Sequence, residues 1–254
     1  MSKIEWTDES WNPIIGCSKV SAGCQNCYAE KMAWRLANMG VAGYQSTVNC
    51  SGKWNGIATW IFNQIDKPLH WKKPRMIFVC SMGDFWHDTV TPEMRSKVFC
   101  IVRRCKQHIF QFLTKRPENI DDWPDDLNNA WLGVTAENQE MADKRISILL
   151  DIPAAVRFVS CEPMMGYVDL YDAYDYLSTL GRPNAKPVSR GIDWVIVGAE
   201  SGPNRRECKP EWIDNIVAQC ATAGVPCFVK QIYENGKKVK MPSQYPQEWP
   251  ETKS

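Results

Sequence analysis

Short apolar runs recur along the chain at intervals, and they constrain its fold more than any other feature of the sequence. Each run is rich in Val, Ile or Phe, and none alternates cleanly between apolar and polar residues. Continuous apolar runs are typical of strands that are covered on both faces, as in a parallel sheet. The predicted strands are 13–17, 76–81, 109–115, 131–136, 156–161, 194–198 and 227–231.

The segments between these runs have the period of amphipathic helices. The predicted helices are 30–39, 91–107, 138–150 and 210–223. Alternation of strands and helices predicts an α/β fold, either a barrel or an open doubly wound sheet. No repeat or domain boundary stands out, so we expect one domain over 1–254. A Gly- and Trp-bearing stretch at 45–61 predicts a hairpin insertion, and the polar segment 232–254 predicts a surface tail.

Polar or charged residues follow the apolar runs at their carboxyl ends. In parallel α/β barrels these ends meet on one face, and that face holds the active site. The pattern predicts a ring of side chains around one cavity, although a chain that emerges into solvent would also place polar residues there. The predicted ring consists of Asp84, Lys115, Glu137, Glu162, Glu200 and Lys230.

Three cysteines lie together in a loop between the first predicted strand and the first predicted helix. Cys17, Cys24 and Cys27 are separated by six and then two residues, and glycines flank them. Three thiolates that leave one iron open suit a catalytic [4Fe–4S] cluster. A structural zinc would need a fourth ligand, such as Cys50 or His87. A redox C-x-x-C pair is the third alternative, and it leaves Cys17 unexplained.

The remaining cysteines carry a different expectation. The chain has 11 cysteines, an odd number, and its start has no apolar segment typical of a signal peptide. A disulfide framework is therefore not expected. Cysteines within apolar runs behave as small hydrophobic residues and are predicted to lie in the core. These are Cys80, Cys105, Cys220 and Cys227.

The run TDESWNPIIGCSKVSAGCQNCYAEKMAWRL resembles the radical S-adenosylmethionine enzymes, and within them a phage- and prophage-associated family of largely unassigned function. The similarity continues through SMGDFWHD, FLTKRPE, GVTAENQ, SCEPM, GAESGPNRR and FVKQ, and so spans most of the chain. Six residues separate the first two cysteines, where three residues separate them in the common motif of the superfamily. The resemblance implies a partial TIM-like β/α barrel, a [4Fe–4S] cluster, S-adenosylmethionine and an external one-electron reductant.

The resemblance also implies roles for individual residues. Cys17, Cys24 and Cys27 would bind the cluster. The candidate catalytic residues are Lys230, Glu162 and Asp84. The candidate cofactor-binding residues are Tyr28, Ser81, Met82, Gly83, Asp84, Thr135, Glu137, Gly198 and Glu200. The candidate substrate-binding residues are Lys115, Arg116, Glu162, Arg205, Lys230 and Gln231.

The prediction of a substrate rests on the context of the resembled family rather than on individual residues. Phage association suggests a nucleotide or DNA substrate, for instance a hypermodified base that is rearranged. Aromatic residues interleaved with basic ones could stack on bases and meet phosphates. These aromatic residues are Trp54, Trp60, Trp71 and Trp86. A formal net charge of +1 gives no general attraction to nucleic acid, which counts against this substrate.

Location and two other classes of function complete the expectations. No apolar stretch approaches the roughly 20 residues that span a bilayer. We therefore expect a cytoplasmic protein with no membrane partner, and the resemblance implies that it is phage- or prophage-encoded. One alternative is a non-catalytic iron–sulfur or zinc protein that binds nucleic acid or a partner enzyme. The other is a metal-independent enzyme that uses Glu162 and Glu200 as acid and base.

Overall fold

The computed structural model describes residues 4–170, 191–202 and 204–251 of the chain. These residues form a mixed α/β fold whose sheets contain mainly parallel strand pairs. The chain divides into two compact units, Met1–Trp131 and Leu132–Ser254. The expectation of a single domain stays a prediction. So does the finer expectation of a radical S-adenosylmethionine barrel.

The first unit contains five strands and two α-helices. In chain order they are β1 (Glu9–Trp11), β2 (Ile14–Ile15), α1 (Tyr28–Asn38), β3 (Thr59–Trp60), β4 (Met76–Val79), α2 (Pro92–Arg104) and β5 (Ile109–Thr114). Strand β4 lies between β1 and β5 and pairs with both in parallel. Short 3₁₀ helices occupy Ala22–Cys24, Tyr44–Ser46, Phe62–Gln64, Lys67–His70 and Pro117–Asn119.

The first strand of this parallel sheet differs from the prediction. The predicted strand 13–17 is only the two-residue β2, which pairs antiparallel with β3. Pro13 has no N–H to donate, and Gly16 turns the chain with a φ of 98°. A Cβ at Gly16 would lie 2.2 Å from the Ile57 carbonyl oxygen. The parallel strand is instead β1, which the apolar pattern does not predict because two of its three residues are polar.

The insertion predicted at 45–61 contains a small hairpin. Val48 and Trp54 form an isolated antiparallel bridge, and the Asn49 amide donates to the Lys53 carbonyl at 2.8 Å. The end of the segment belongs to β3. Both Val48 and Trp54 are buried against α1 in one apolar cluster. The insertion therefore packs directly on the helix that follows the cysteines.

The described residues of the second unit form five strands and two α-helices. In chain order they are β6 (Ala130–Thr135), which begins two residues earlier, α3 (Gln139–Asp151), β7 (Val156–Cys161), β8 (Trp194–Gly198), α4 (Pro210–Ala223), β9 (Cys227–Glu234) and β10 (Lys237–Lys240). The strand order is β6-β7-β8-β9-β10, with β8 parallel to both β7 and β9. The strands predicted at 156–161 and 194–198 are confirmed to the residue.

The prediction of a surface tail over 232–254 is wrong for the first residues of that segment. Strand β9 continues to Glu234, and β10 returns antiparallel beside it. Asn235 and Gly236 make the turn with φ angles of 48° and 76°. An Asn-Gly pair with two positive φ angles is the favoured two-residue hairpin turn. The sequence contained this signal, and our interpretation missed it.

The helices and the core cysteines follow the predictions closely. The Thr91 side chain caps α2 and the Asn138 side chain caps α3, each by accepting a hydrogen bond from a backbone amide three residues on. The cysteines predicted to lie in the core are buried, and so is Cys161. In the part of the chain that is described, no helix has the length and apolar character needed to cross a bilayer.

Candidate functional site

The cysteine loop joins β2 to α1 and is built on a short 3₁₀ turn. The Cys24 amide donates to the Ser21 carbonyl at 3.0 Å, and the Cys27 amide donates to the Cys24 carbonyl at 3.4 Å. Cys27 then caps the N-terminus of α1. Cys24 is buried, whereas Cys17 and Cys27 are half-buried and pack against the apolar cluster that contains Ile15. Cys17 and Cys27 therefore lie against one apolar cluster of the first unit, and Cys24 is close enough to Cys27 to act on its charge.

The surroundings of Cys17 and Cys27 favour the protonated form of their thiols. Burial raises the pKa of Cys17 to about 12, and the nearby Asp84 carboxylate adds to this effect. Burial also raises the pKa of Cys27. The Cys17 thiol donates to the Ser18 carbonyl at 3.3 Å. Buried thiols of this kind would become thiolates when a metal cation replaces their protons.

The three cysteines are chemically suitable ligands for a metal cluster, but their side chains are not arranged as a metal site. Among the residues that the structure describes, no group of three or more His, Cys, Asp or Glu side chains is arranged to hold a metal ion. Three thiols within one 11-residue loop are nevertheless the donors that iron–sulfur clusters use. Cys17, Cys24 and Cys27 would hold the cluster, and the loop would have to draw their sulfurs together.

Asp84 follows β4 and lies beneath this loop. Its Oδ1 accepts from the Thr114 hydroxyl at 2.7 Å and from the Trp86 amide at 3.1 Å. Its Oδ2 accepts from the Lys115 amide at 3.1 Å and from Arg116 Nη1 at 3.2 Å. Four donors use the acceptor positions of a carboxylate. Asp84 is thus a buried structural centre that ties the end of β4 to the end of β5.

Arg116 connects this centre to the cysteine loop. Its Nη2 donates to the Ser18 carbonyl at 2.9 Å and to the Ser18 hydroxyl at 2.7 Å. Its Nη1 lies 3.7 Å from the Cys17 sulfur, and the side chain is only 4% exposed. The sequence predicted Arg116 as a substrate ligand. Its described partners lie within the protein, and its role as a substrate ligand stays a prediction.

His87 completes the contacts of Ser18. Its Nε2 is 2.9 Å from the Ser18 hydroxyl, and its Nδ1 accepts from the Thr89 amide at 3.2 Å. An accepting Nδ1 leaves the proton of the neutral ring on Nε2, which then donates to Ser18. Burial, with the positive charge of Arg116 next, lowers the pKa of His87. The imidazole is therefore held neutral.

The candidate cofactor-binding turn after β4 also lies against the start of the loop. Gly83 bridges to Gly16, and a Cβ at Gly83 would lie 2.8 Å from the Gly16 carbonyl oxygen. The Met82 amide donates to the Asn12 side chain at 3.0 Å. The Tyr28 hydroxyl donates to the Ser81 carbonyl at 2.7 Å. The structure thus brings the predicted group from Ser81 to Asp84 together with the cysteines.

The second unit contains a polar group that joins the end of β7 to the middle of β9. Glu162 Oε1 is 3.2 Å from Lys230 Nζ and accepts from Gln231 Nε2 at 3.3 Å. Gln231 Nε2 also donates to the Ala199 carbonyl at 2.6 Å. A Cβ at Gly198 would lie 2.8 Å from Glu162 Oε1, so glycine leaves room for this carboxylate. Four predicted residues therefore meet here: Glu162, Gly198, Lys230 and Gln231.

One atom of this group points to a ligand. Gln231 is 3% exposed, and its side-chain oxygen accepts no hydrogen bond from the described part of the protein. A buried acceptor without a donor costs about 1–3 kcal/mol. A ligand that brings an N–H or O–H donor would remove that cost.

Other predicted residues of the second unit have partners that suggest structural roles. Glu137 is fully buried and pairs with Arg145 at 2.8 Å, and the same Arg145 nitrogen donates to the Thr135 carbonyl at 2.8 Å. Glu200 is buried and accepts from the Arg206 amide at 2.8 Å and from Arg206 Nε at 3.0 Å. Two of these predicted residues, Glu137 and Glu200, are engaged by arginines that our sequence interpretation did not assign to them.

Arg205 lies on the β9–β10 hairpin rather than in the Glu162 group. Its guanidinium stacks 3.9 Å from the centroid of the Tyr233 ring, and it donates to the Gly236 carbonyl at 3.1 Å. The described contacts of Arg205 are therefore with the hairpin. Its assignment as a substrate ligand stays a prediction.

The prediction that four tryptophans could stack on bases is wrong for two of them. Trp86 is fully buried and Trp54 is 9% exposed, so neither ring offers a face to a base. Trp60 and Trp71 are half-buried, and Lys67 and Arg75 lie over the Trp71 ring. Interleaved basic residues had suggested exposure. The rings of Trp54 and Trp86 instead pack against apolar neighbours.

The sequence alone missed three residues of the first site: Ser18, Asn12 and Thr114. Each uses a short polar side chain to join two loops, and such contacts leave no periodic signal. Thr114 carried a weak signal, because it stands directly before Lys115 and Arg116 at the end of a strand. Each unit thus contains part of the predicted ring: Asp84 and Lys115 in the first, and the remaining four members in the second.

Comparison with known proteins now adds one assignment. A family model described as "Protein of unknown function (DUF5131)" matches residues 1–247. The chain belongs to this family. No curated protein and no solved structure matches the chain. The family description carries no activity, so the function must be argued from the two polar groups and the cysteine loop.

Proposed function

We propose that this member of the DUF5131 family is a radical S-adenosylmethionine enzyme. The observation that carries the proposal is the cysteine loop itself: Cys17 and Cys27 pack against one apolar cluster of the first unit, and the turn from Ser81 to Asp84 packs against the start of the loop. A cluster held by three thiolates keeps one iron open. In this proposal the turn binds the cofactor on that iron through its backbone donors and acceptors.

The chemistry that the cluster and S-adenosylmethionine supply when bound is reductive cleavage to a 5′-deoxyadenosyl radical, which removes a hydrogen atom from the substrate. The chain's own residues bind and orient. Cys17, Cys24 and Cys27 are the cluster ligands in this proposal. Tyr28, half exposed and bonded to the Ser81 carbonyl, holds the cofactor-side turn in place. Asp84 positions that turn and does not contact the cofactor, since its four acceptor positions are occupied.

The Glu162 group is the proposed substrate side. Lys230 is 22% exposed and Glu162 is 13% exposed, so both charges can be reached by a ligand. The unpartnered Gln231 oxygen accepts a donor from the substrate, and Gly198 allows close approach of that group. A nucleotide or DNA offers both donors on its bases and phosphates for Lys230. A nucleotide or DNA component is the substrate that we propose.

The test is electron paramagnetic resonance on anaerobically reconstituted protein. Dithionite supplies the electron, and spectra are recorded with and without S-adenosylmethionine. We expect a [4Fe–4S]⁺ signal that shifts when the cofactor is added and that is absent from Cys24→Ala. The matched control is Cys100→Ala, because Cys100 is exposed on α2 and lies outside the loop. A wild-type protein without a cluster, or a spectrum that S-adenosylmethionine leaves unchanged, would contradict the proposal.

A structural zinc site is the second candidate, and one contact favours it. His87 reaches Ser18, the neighbour of Cys17, and so lies close to a possible fourth position. Metal analysis of protein produced with both metals available separates the two candidates. One zinc per chain that is lost in His87→Ala supports the zinc site. Iron and sulfide near four per chain that survive in Cys50→Ala support the cluster.

A further inference from the structure

Arg116 bonds both to Ser18 in the cysteine loop and to the buried Asp84. One guanidinium nitrogen donates to both the carbonyl and the hydroxyl of Ser18, at 2.9 and 2.7 Å. The other lies 3.2 Å from Asp84 Oδ2 and 3.7 Å from the Cys17 sulfur. Two nitrogens of one planar group thus join a buried carboxylate to two consecutive residues of the loop.

The geometry points to Arg116 as a positioning residue that anchors the Cys17 end of the cysteine loop and fixes a positive charge beside the Cys17 sulfur. Asp84 orients the guanidinium and is itself held by donors from Thr114 and Trp86. Because its partners are fixed, the Arg116 guanidinium is held in one orientation. Lys19, the residue after Ser18, pairs with the buried Glu30 of α1 at 3.1 Å and so ties the same end of the loop to α1.

Two consequences follow, and only the second rests on the proposed function. The first concerns the metal-free protein: the anchor holds Ser18 in place and so protects the loop from opening. The second concerns a bound cluster. A fixed positive charge next to one cluster ligand stabilises the reduced form, which carries the more negative charge, and so raises the reduction potential.

Hydrogen–deuterium exchange of the metal-free protein tests the first consequence. Arg116→Met removes the anchor, and we expect the loop amides of Cys24 and Cys27 to exchange about tenfold faster or more, as loss of a charged hydrogen bond predicts. The matched control is Arg103→Met, which removes an exposed arginine that binds Asp126 through two bonds of 2.7 and 2.8 Å in the same unit. Unchanged loop exchange in Arg116→Met, with β4 and α2 still protected, would overturn the anchor.

Ser18→Ala serves if Arg116→Met does not fold. It removes the acceptor at 2.7 Å and leaves Arg116 its bonds to Asp84 and to the Ser18 carbonyl. We expect loop exchange between that of the wild type and the tenfold change. Exchange equal to the wild type would overturn the anchor.

Potentiometric titration of the reconstituted cluster tests the second consequence, with Arg116→Lys as the discriminating variant. We expect a more negative midpoint potential in Arg116→Met. Lysine keeps the charge but cannot hold Asp84 and Ser18 together. It should therefore restore the potential and leave loop exchange fast. A potential that stays at the wild-type value in Arg116→Met would overturn the charge effect. If the wild type takes up no cluster, the proposed function fails, and loop exchange still decides the anchor.

Discussion

Asp84 in the first unit and Glu162 in the second both follow a central strand, yet they are used in opposite ways. Asp84 accepts four hydrogen bonds, and its side chain is 7% exposed. Glu162 contacts Lys230, whose side chain is partly exposed to solvent. It also contacts Gln231, whose side-chain oxygen accepts no hydrogen bond from the described residues. A carboxylate surrounded by fixed donors maintains the structure. One beside an unpaired buried acceptor is placed to meet a ligand.

Charge type alone does not reveal this difference. Both carboxylates stand after an apolar run, and each pairs with a basic residue. The distinction comes from how many donors reach each oxygen. Variants at Asp84 should therefore lower stability, and variants at Glu162 should weaken ligand binding.

Replacing Asp84 should have the largest effect. Asp84→Asn leaves Arg116 buried without its charge partner and turns one acceptor into a donor facing other donors. Removing one member of a buried ion pair typically costs about 3–5 kcal/mol of unfolding free energy. Urea denaturation measures the change. Asp126→Asn is the control, since its partner Arg103 is exposed and such pairs contribute about 1 kcal/mol or less. A cost for Asp84→Asn no greater than for this control would remove the contrast between the units.

The glycines beside the two carboxylates should rank next. In Gly83→Ala the new Cβ meets the Gly16 carbonyl oxygen at 2.8 Å, and backbone cannot move cheaply. We expect a loss of about 2–3 kcal/mol, at the upper end for overpacking. In Gly198→Ala the Cβ meets the end of the Glu162 side chain at the same 2.8 Å, and that side chain can rotate away. We expect about 1 kcal/mol or less.

Thermal and urea unfolding of both alanine variants decides this comparison. Equal losses would mean that Glu162 is held as rigidly as the backbone at Gly16. That result would contradict the assignment of Glu162 to a ligand-facing group.

His87 should make the stability of the first unit depend on pH. Its pKa is lowered in the folded protein, so the unfolded chain, with a pKa near 6.5, binds the proton first. The contribution of His87 is fully present above about pH 6.5 and is lost as the pH falls through the folded pKa. The slope cannot exceed about 1.4 kcal/mol per pH unit for one proton. Urea titrations at pH 7.5 and 5.5 should show a smaller loss in His87→Gln than in the wild type.

Much of the fold could be predicted because its strands are buried on both faces. The apolar runs at 156–161 and 194–198 needed no tertiary information. Strand β1 could not be found in this way, because Glu9 and Ser10 carry no apolar signal and the strand exists through pairing with β4, far along the chain. Strand β10 was predictable from Asn235 and Gly236, and the polar composition around them obscured it.

The candidate site was predictable in position but not in role. Strand ends correctly placed Asp84 near Lys115, and Glu162 near Lys230. The donors that occupy Asp84 are a hydroxyl and two backbone amides as well as Arg116, and they come from two separate segments. Backbone amides are the same in every residue, so a sequence cannot show where they point. The part of a site that is built from side-chain types can be predicted, and the part built from main-chain donors cannot.

Replacing Glu162 should have the smallest effect on stability and the sharpest effect on binding. Glu162→Gln keeps the shape of the side chain and removes a charge from a partly exposed pair with Lys230. We expect a change in unfolding free energy below about 1 kcal/mol. Under the proposed function Glu162 binds substrate and not the cofactor, so the shift of the cluster spectrum by S-adenosylmethionine should persist. Substrate-dependent consumption of S-adenosylmethionine should be lost. A variant that loses the spectral shift as well would place Glu162 with the cofactor, and the comparison with Asp84 would have to be redrawn as two supports of one ligand.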